Sequence, residues 1–247
     1  MGIKLSSPAN LMDFDPTTTR TQADPSHNMG ELVWLSDDRA FRYGKAGASN
    51  ISYSNLQKAP AHAANSTNKA VTAAAAIGDK LVVFTPGATA ATVNEYAEGY
   101  LVVNDAVGEG NSYKISGHAA NAGSVSMTIN LFDPLRVALT TASEITLVHN
   151  FWNGVIEATG ATSFAAGVPL VSVLAGDYAW LQTKGTASVL IGSAATLGAQ
   201  LMGDASTAGA VTDNTDVTTV QTEIIVARAS IVAGVSTEHN PVVLCID

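Results

Sequence analysis

The residues whose types and spacing best suit chemistry are Tyr178, Trp180, Gln182 and Lys184 in GDYAWLQTKG, two aromatics, an amide and a cation at alternate positions. Alternate residues of a strand share a face, so the four would stand in a row, as a binding platform does. The same alternation also describes a scaffold strand, with Ala179, Leu181 and Thr183 on its other face. Trp180 is expected to be packed, either against a core or under a neighbouring subunit, because an isolated exposed Trp is uncommon. Lys184 lies beside Gly185 and is expected to reach water.

The other candidates are weaker. None of the five histidines, His27, His62, His118, His149 and His239, is paired with another at metal-ligand spacing. His149 stands out because it closes the apolar run TLVHNFW beside Phe151 and Trp152. Glu157 and Asp177 would have to be brought together to act as a glycosidase pair, and nothing in the pattern does so. Asp204, Asp213 and Asp216 lack the ordered oxygen spacing of a calcium loop, so a solvated loop is the expectation. There is no phosphate-binding glycine loop, no nucleophile elbow and no His-Glu-x-x-His. The single cysteine, Cys245, excludes a disulfide within the chain and reads as a small apolar strand residue. The expectation is a protein that is not an enzyme, with no cofactor, no metal and no small-molecule substrate.

Composition narrows the partners. The net charge is −9 and the chain has no run of Lys or Arg, so the clustered cations that neutralise phosphates are missing and nucleic-acid binding is not expected. Only 13% of residues are charged, against about 25% in ordinary soluble domains. A surface of Ala, Thr, Ser and Gly suits lasting contact with neighbours. No apolar stretch has the length of a membrane span or a signal-peptide core, so no membrane partner is expected.

The elements that would position such residues are strands. From Glu31 onward, short alternating runs recur every 8–14 residues or so, separated by Gly, Asn, Asp or Pro, the pattern of an all-β sandwich or barrel. ELVWLSDDRAFRYGKAG reads as two strands about Asp37–Asp38, and YAWLQTKG and ASVLIGS as two further strands. The Ala-rich stretch from Ser54 to Lys80 reads as loop. Residues 1–30 hold Pro8, Pro16 and Pro25 without any apolar period. They read as an extended arm with Leu11, Met12 and Phe14 as anchors on a partner. The domains expected are this arm (1–30), a β-rich domain (31–155) and a second β-rich domain (156–247).

MGELVWLSDDRAFRYGKAGAS, AEGYLVVNDAVGEGNSYKISGH, LFDPLRVALTTASEITLVHN and GDYAWLQTKG together resemble the capsid decoration (cement) and head proteins of tailed bacteriophages, which accompany an HK97-type major capsid protein. The resemblance covers most of the chain from about residue 29. It implies a β-rich homotrimer, made in the host cytoplasm, that binds the major capsid protein on the outer surface of the virion and clamps capsomers together. It implies no catalytic residues. Leu11, Met12, Phe14, Trp34 and Trp180 are the candidate interface side chains. The alternatives are a tail- or fibre-associated virion protein, a carbohydrate-binding β-sandwich that stacks sugars on Trp34, Trp152 or Trp180, and an unrecognised hydrolase.

Overall fold

The computed structural model describes residues 14–24, 27–62, 64–160, 164–213, 225–230 and 235–247. Leu11, Met12 and Asp216 lie outside them. The chain is all-β, as its alternation requires. Sixteen strands and one 3-10 turn, at Ala64–Ser66, make up its regular structure among the described residues. They fall into two compact units. The first comprises residues 1–60 and 151–247, the second residues 61–150.

In the first unit, β1 (Leu32–Trp34) and β2 (Ala40–Ala46) form the expected hairpin about Asp37–Asp38. The strands β3 (Gln57–Lys58), β10 (Asn153–Glu157), β11 (Ala165–Pro169) and β12 (Tyr178–Leu190) follow in space. Because β12 also pairs with β2, the strands β2, β10, β3, β11 and β12 close into a ring. The second half of β12 pairs with β16 (His239–Cys245), and the sheet continues through β15 (Ala227–Ala229), β13 (Gln200–Gly203) and β14 (Val211–Asp213). A parallel bridge from Ile191 to Val211 brings β14 back to the end of β12.

The alternation of β12 sorts its side chains into separate cores. Ala179 and Leu181 pack with Ile51, Val155 and Val173. Trp180 packs with Val33, Phe41 and Tyr43. Beyond the glycine, Val189 joins Leu56, Leu201, Val211 and Leu244. Both faces of this strand are therefore buried over its first half, which a polar-out scaffold strand would not show.

β12 is one strand of 13 residues and not the two expected. Gly185 falls inside it at φ +83°, next to a register shift between Gln182 and Lys184. This is the bulge at which the strand changes partner from β2 to β16. A Cβ at Gly185 would come within 2.5 Å of the Asp38 carbonyl oxygen. The Asp38 carboxylate accepts hydrogen bonds from the backbone N–H of Thr186 (2.9 Å) and from its hydroxyl (3.1 Å), so the β1–β2 turn clamps the bulge. The bond from the Thr186 N–H is the main reason the Asp38 pKa lies below its ordinary value.

The second unit is a closed barrel of β4 (Lys69–Ala73), β5 (Leu81–Phe84), β8 (Met127–Leu131), β7 (Ser112–His118), β6 (Tyr100–Asp105) and β9 (Glu144–Val148), in that order and antiparallel throughout. Phe84, Tyr96, Leu101, Ile115, Ile129, Ile145 and Leu147 fill it. It is inserted between β3 and β10, which pair with each other through Lys58 and Ile156. This division differs from the linear split at 155/156: the chain leaves the first unit after Pro60 and returns at Phe151. Ending one strand and resuming on its neighbour lets a folded unit be inserted without disturbing the sheet.

Candidate interaction surface

The chemistry-bearing residues singled out from the sequence are occupied by structure. Trp180 is 4% exposed and rests against Tyr43 (ring centroids 5.2 Å), His27 (5.0 Å) and Phe14 (4.9 Å). It packs on its own chain and offers no ring to a partner. Trp34 carries the Lys184 ammonium 4.6 Å from its ring centre. That cation–π contact holds Lys184 against the protein and not free in water. The Trp152 ring has the Arg42 guanidinium 4.5 Å away, and its Nε1–H donates to the Ala166 carbonyl.

Phe14 is likewise an internal anchor and not a partner anchor. It packs edge-on to Phe41 and Trp180, partly buried against the cluster they form with Val33, Leu35 and Tyr43. The described part of the arm is stitched down behind it. Arg20 and Tyr178 exchange backbone hydrogen bonds (2.9 and 2.7 Å), and the Asp24 N–H donates to the Tyr43 hydroxyl. The Gly30 N–H donates to the Tyr43 carbonyl. His27 is buried, its Nδ1 3.2 Å from Glu31. Removing residues 1–28 would open this aromatic core. Leu11 and Met12 are the two proposed anchors that lie outside the described residues.

The titratable groups singled out from the sequence are spread over the described structure, each with its own partners. Glu157 accepts hydrogen bonds from the Ser52 N–H and the Asn55 amide. It therefore fixes a loop, with no carboxylate partner in the roles expected of a glycosidase pair. Asp204 caps its own turn through the N–H groups of Ser206 and Thr207. No group of three or more potential metal ligands occurs among the described residues. Cys245 is a strand residue, as expected, on the exposed face it shares with Val243: the alternation of β16 points Val242 and Leu244 inward and Val243 and Cys245 out.

His149 sits in the second unit against Tyr96 (4.3 Å between ring centroids), with its Nε2 3.8 Å from Glu95. Burial lowers its pKa, and repulsion from His62 and His118 adds to this, outweighing the pull of Glu95. His118 itself accepts the Tyr96 N–H on Nε2, and its Nδ1 pairs with the Ala119 carbonyl. Burial likewise raises the Tyr96 pKa, and its hydroxyl lies 3.2 Å from that of Ser66. Both shifts favour the uncharged forms, so the imidazole and the phenol pack on each other as neutral rings at this end of the barrel.

Several aromatic rings stand among the large apolar side chains that the described residues leave exposed. In the first unit Phe151 (42% exposed) and Phe164 (63% exposed) stack on each other at 5.3 Å and 15°. Phe151 also meets the edge of Trp152. The Phe164 carbonyl accepts the Ala59 N–H, which fixes its backbone beside β3. In the second unit, Tyr100 and Phe132 stand exposed on either side of Lys114. Tyr100 is its register partner on β6, and the Phe132 N–H donates to its carbonyl. Large exposed rings held in place by a folded backbone are the kind of surface a partner can bury. Sequence reasoning missed all four, because Phe151 and Phe164 are separated by β10 and become neighbours only through the fold.

No protein-family model, no curated protein and no solved structure matches this chain.

Proposed function

We propose that this chain is a structural protein of a tailed-bacteriophage head. It acts as a decoration or cement protein that binds the major capsid protein on the outer surface of the shell, as a homotrimer. The observation that carries the reading is the exposed Phe151–Phe164 stack. It stands on a chain whose tryptophans and buried titratable groups are engaged in holding the fold. A net charge of −9 favours the outer face of a shell over the side facing packaged DNA. The work done is thermodynamic. A copy that binds only assembled shell stabilises it by about 2.7 kcal/mol per site at a free concentration 100-fold above Kd, and repetition by symmetry multiplies the effect.

The carbohydrate-binding alternative has less support. A sugar platform needs an open ring face, and Trp34, Trp152 and Trp180 are engaged by Lys184, Arg42 and the aromatic core.

Stripped heads titrated with the protein test the proposal. Wild type is expected to bind and to raise the temperature at which the heads release DNA. Phe151→Ser with Phe164→Ser, checked for native circular dichroism, is expected to bind at least about 10-fold more weakly, since a central aromatic anchor typically contributes more than 1 kcal/mol. Failure of the wild type to bind overturns the function. Undiminished binding by the double variant overturns the surface.

A further inference from the structure

One outer face of the second unit's barrel carries rings and cations without carboxylates. Tyr100 of β6 and Phe132, just after β8, flank Lys114 of β7: Tyr100 is its register partner, and the Phe132 N–H donates to its carbonyl. Neighbouring strands lie about 4.8 Å apart, so the two aromatic positions are about 10 Å from each other, with the lysine between them. Tyr100, Phe132 and, on β5, Leu81 are exposed. Lys80, the residue before Leu81, donates from its ammonium to the Phe132 carbonyl (2.7 Å), which brings a second cation to the row. Residues 81–83, 100–104, 112–116 and 128–132, which make this face, include no Asp or Glu. Asp133 follows Phe132, yet neither it nor another carboxylate forms an ion pair with Lys80 or Lys114 among the described residues.

The same barrel has a corner of the opposite sign. Asp105 ends β6, about 16 Å from Tyr100 along the strand, and its register partner on β9 is Glu144. Val103 and Ile145 beside them are core residues, and the register shift between Val103 and Asp105 leaves both carboxylates facing outward. Glu109 stands exposed in the turn that follows. Like charges directly opposite one another destabilise a strand pair, and no cation forms an ion pair with Asp105, Glu109 or Glu144 among the described residues. A cation supplied from outside would relieve that repulsion. Lys114 facing Lys114 of a second copy would repel, so two-fold pairing of the aromatic faces is disfavoured. Face against corner is attractive, and a head-to-tail contact of this kind can close into a ring.

We propose that the Tyr100–Lys114–Phe132 face of one copy docks on the Asp105–Glu144 corner of the next, and that this contact, repeated around a ring, closes the homotrimer. Lys114 and Lys80 pair with the two carboxylates, and the Tyr100 and Phe132 rings cover the ion pairs and keep water from them. This contact rests on the homotrimer of the proposed function and supplies its interface; what the Phe151–Phe164 stack binds does not enter. It also accounts for two acids that the barrel places in an unfavourable register.

The test is the mass of the full chain in solution, by multi-angle light scattering over a concentration series. Wild type is expected to form trimers whose dissociation constant rises several-fold between about 0.1 and 1 M salt, because exposed ion pairs are screened. Lys80→Glu with Lys114→Glu is expected to weaken assembly at least about 10-fold, and so is Asp105→Lys with Glu144→Lys. All four substitutions in one chain make the charges complementary again and are expected to restore the trimer, which a variant that merely misfolds would not do. Trimers that withstand either reversal, or that ignore salt, overturn this interface and leave the homotrimer standing. A chain with all four substitutions that stays dissociated overturns it as well. A wild type that is monomeric throughout overturns the homotrimer and this contact together, while head binding by such a monomer would leave the capsid role intact.

Discussion

Phe14→Ala should destabilise the isolated protein, because the structure makes Phe14 part of the chain's own aromatic core. Fully burying a Phe side chain contributes about 1.5–3 kcal/mol. Phe14 is only partly buried, so about half of that, about 1–1.5 kcal/mol, applies. Its two edge-on contacts, 5.4 Å from Phe41 and 4.9 Å from Trp180, add about 0.5–1.5 kcal/mol each. The expected loss is about 2–4.5 kcal/mol, or roughly 5–15 °C in Tm for a unit of this size. All three tryptophans, Trp34, Trp152 and Trp180, lie in the first unit, so urea unfolding followed by Trp fluorescence reads that unit alone. A double-mutant cycle with Trp180→Leu should return a coupling of about 1 kcal/mol. A Phe14→Ala stability within about 0.5 kcal/mol of wild type would refute the reasoning. So would a loss that depends on protein concentration, because the ring would then be packing on another copy.

Three further outcomes follow from particular residues. Gly185→Ala should cost at least about 1 kcal/mol from its positive φ alone, and more from the approach to Asp38; a calorimetric Tm equal to wild type would remove the bulge from the account. Replacing residues 61–150 by a linker of about five residues should leave the first unit folded, since β3 and β10 are hydrogen-bonded neighbours about 5 Å apart; a native-like Trp emission spectrum checks this, and an unfolded product contradicts the insertion. The lowered His149 pKa means that the unfolded chain takes up protons more readily than the folded one as pH falls below about 6.5. The second unit should therefore lose stability on acidification through that region, and His149→Gln should flatten the dependence measured by tyrosine absorbance; an unchanged pH slope would assign the effect elsewhere.

Strand alternation carried most of the fold into view, and its limits have physical causes. Leu32–Trp34 and Met127–Leu131 alternate cleanly and were legible because one face of each is buried, and Ala40–Ala46 was legible from its alternating Phe41 and Tyr43 although residues on both of its faces are buried. Lys69–Ala73 was not, because Val71 is its only fully buried side chain and the alanines around it carry no contrast. Gly185 read as a break between two strands, since a glycine in a strand and a glycine in a turn look alike until φ is known. The inserted barrel left no mark because neither crossing, at Pro60 or at Asn150, changes the composition. The face shared by Tyr178, Trp180, Gln182 and Lys184 was legible, but what covers it was not. Tyr43, Phe14 and Trp34 come from more than a hundred residues away, and no local pattern names them.

One measurement reaches the proposed role on a protein shell directly. Heads purified with the protein in place can be surface-labelled intact and then analysed for its stoichiometry and for label uptake. The proposed role predicts stoichiometric copies that co-sediment with the heads and are labelled from outside, with Phe151 and Phe164 protected in the bound state. Absence of the protein from purified heads, or its confinement to tails, would contradict it.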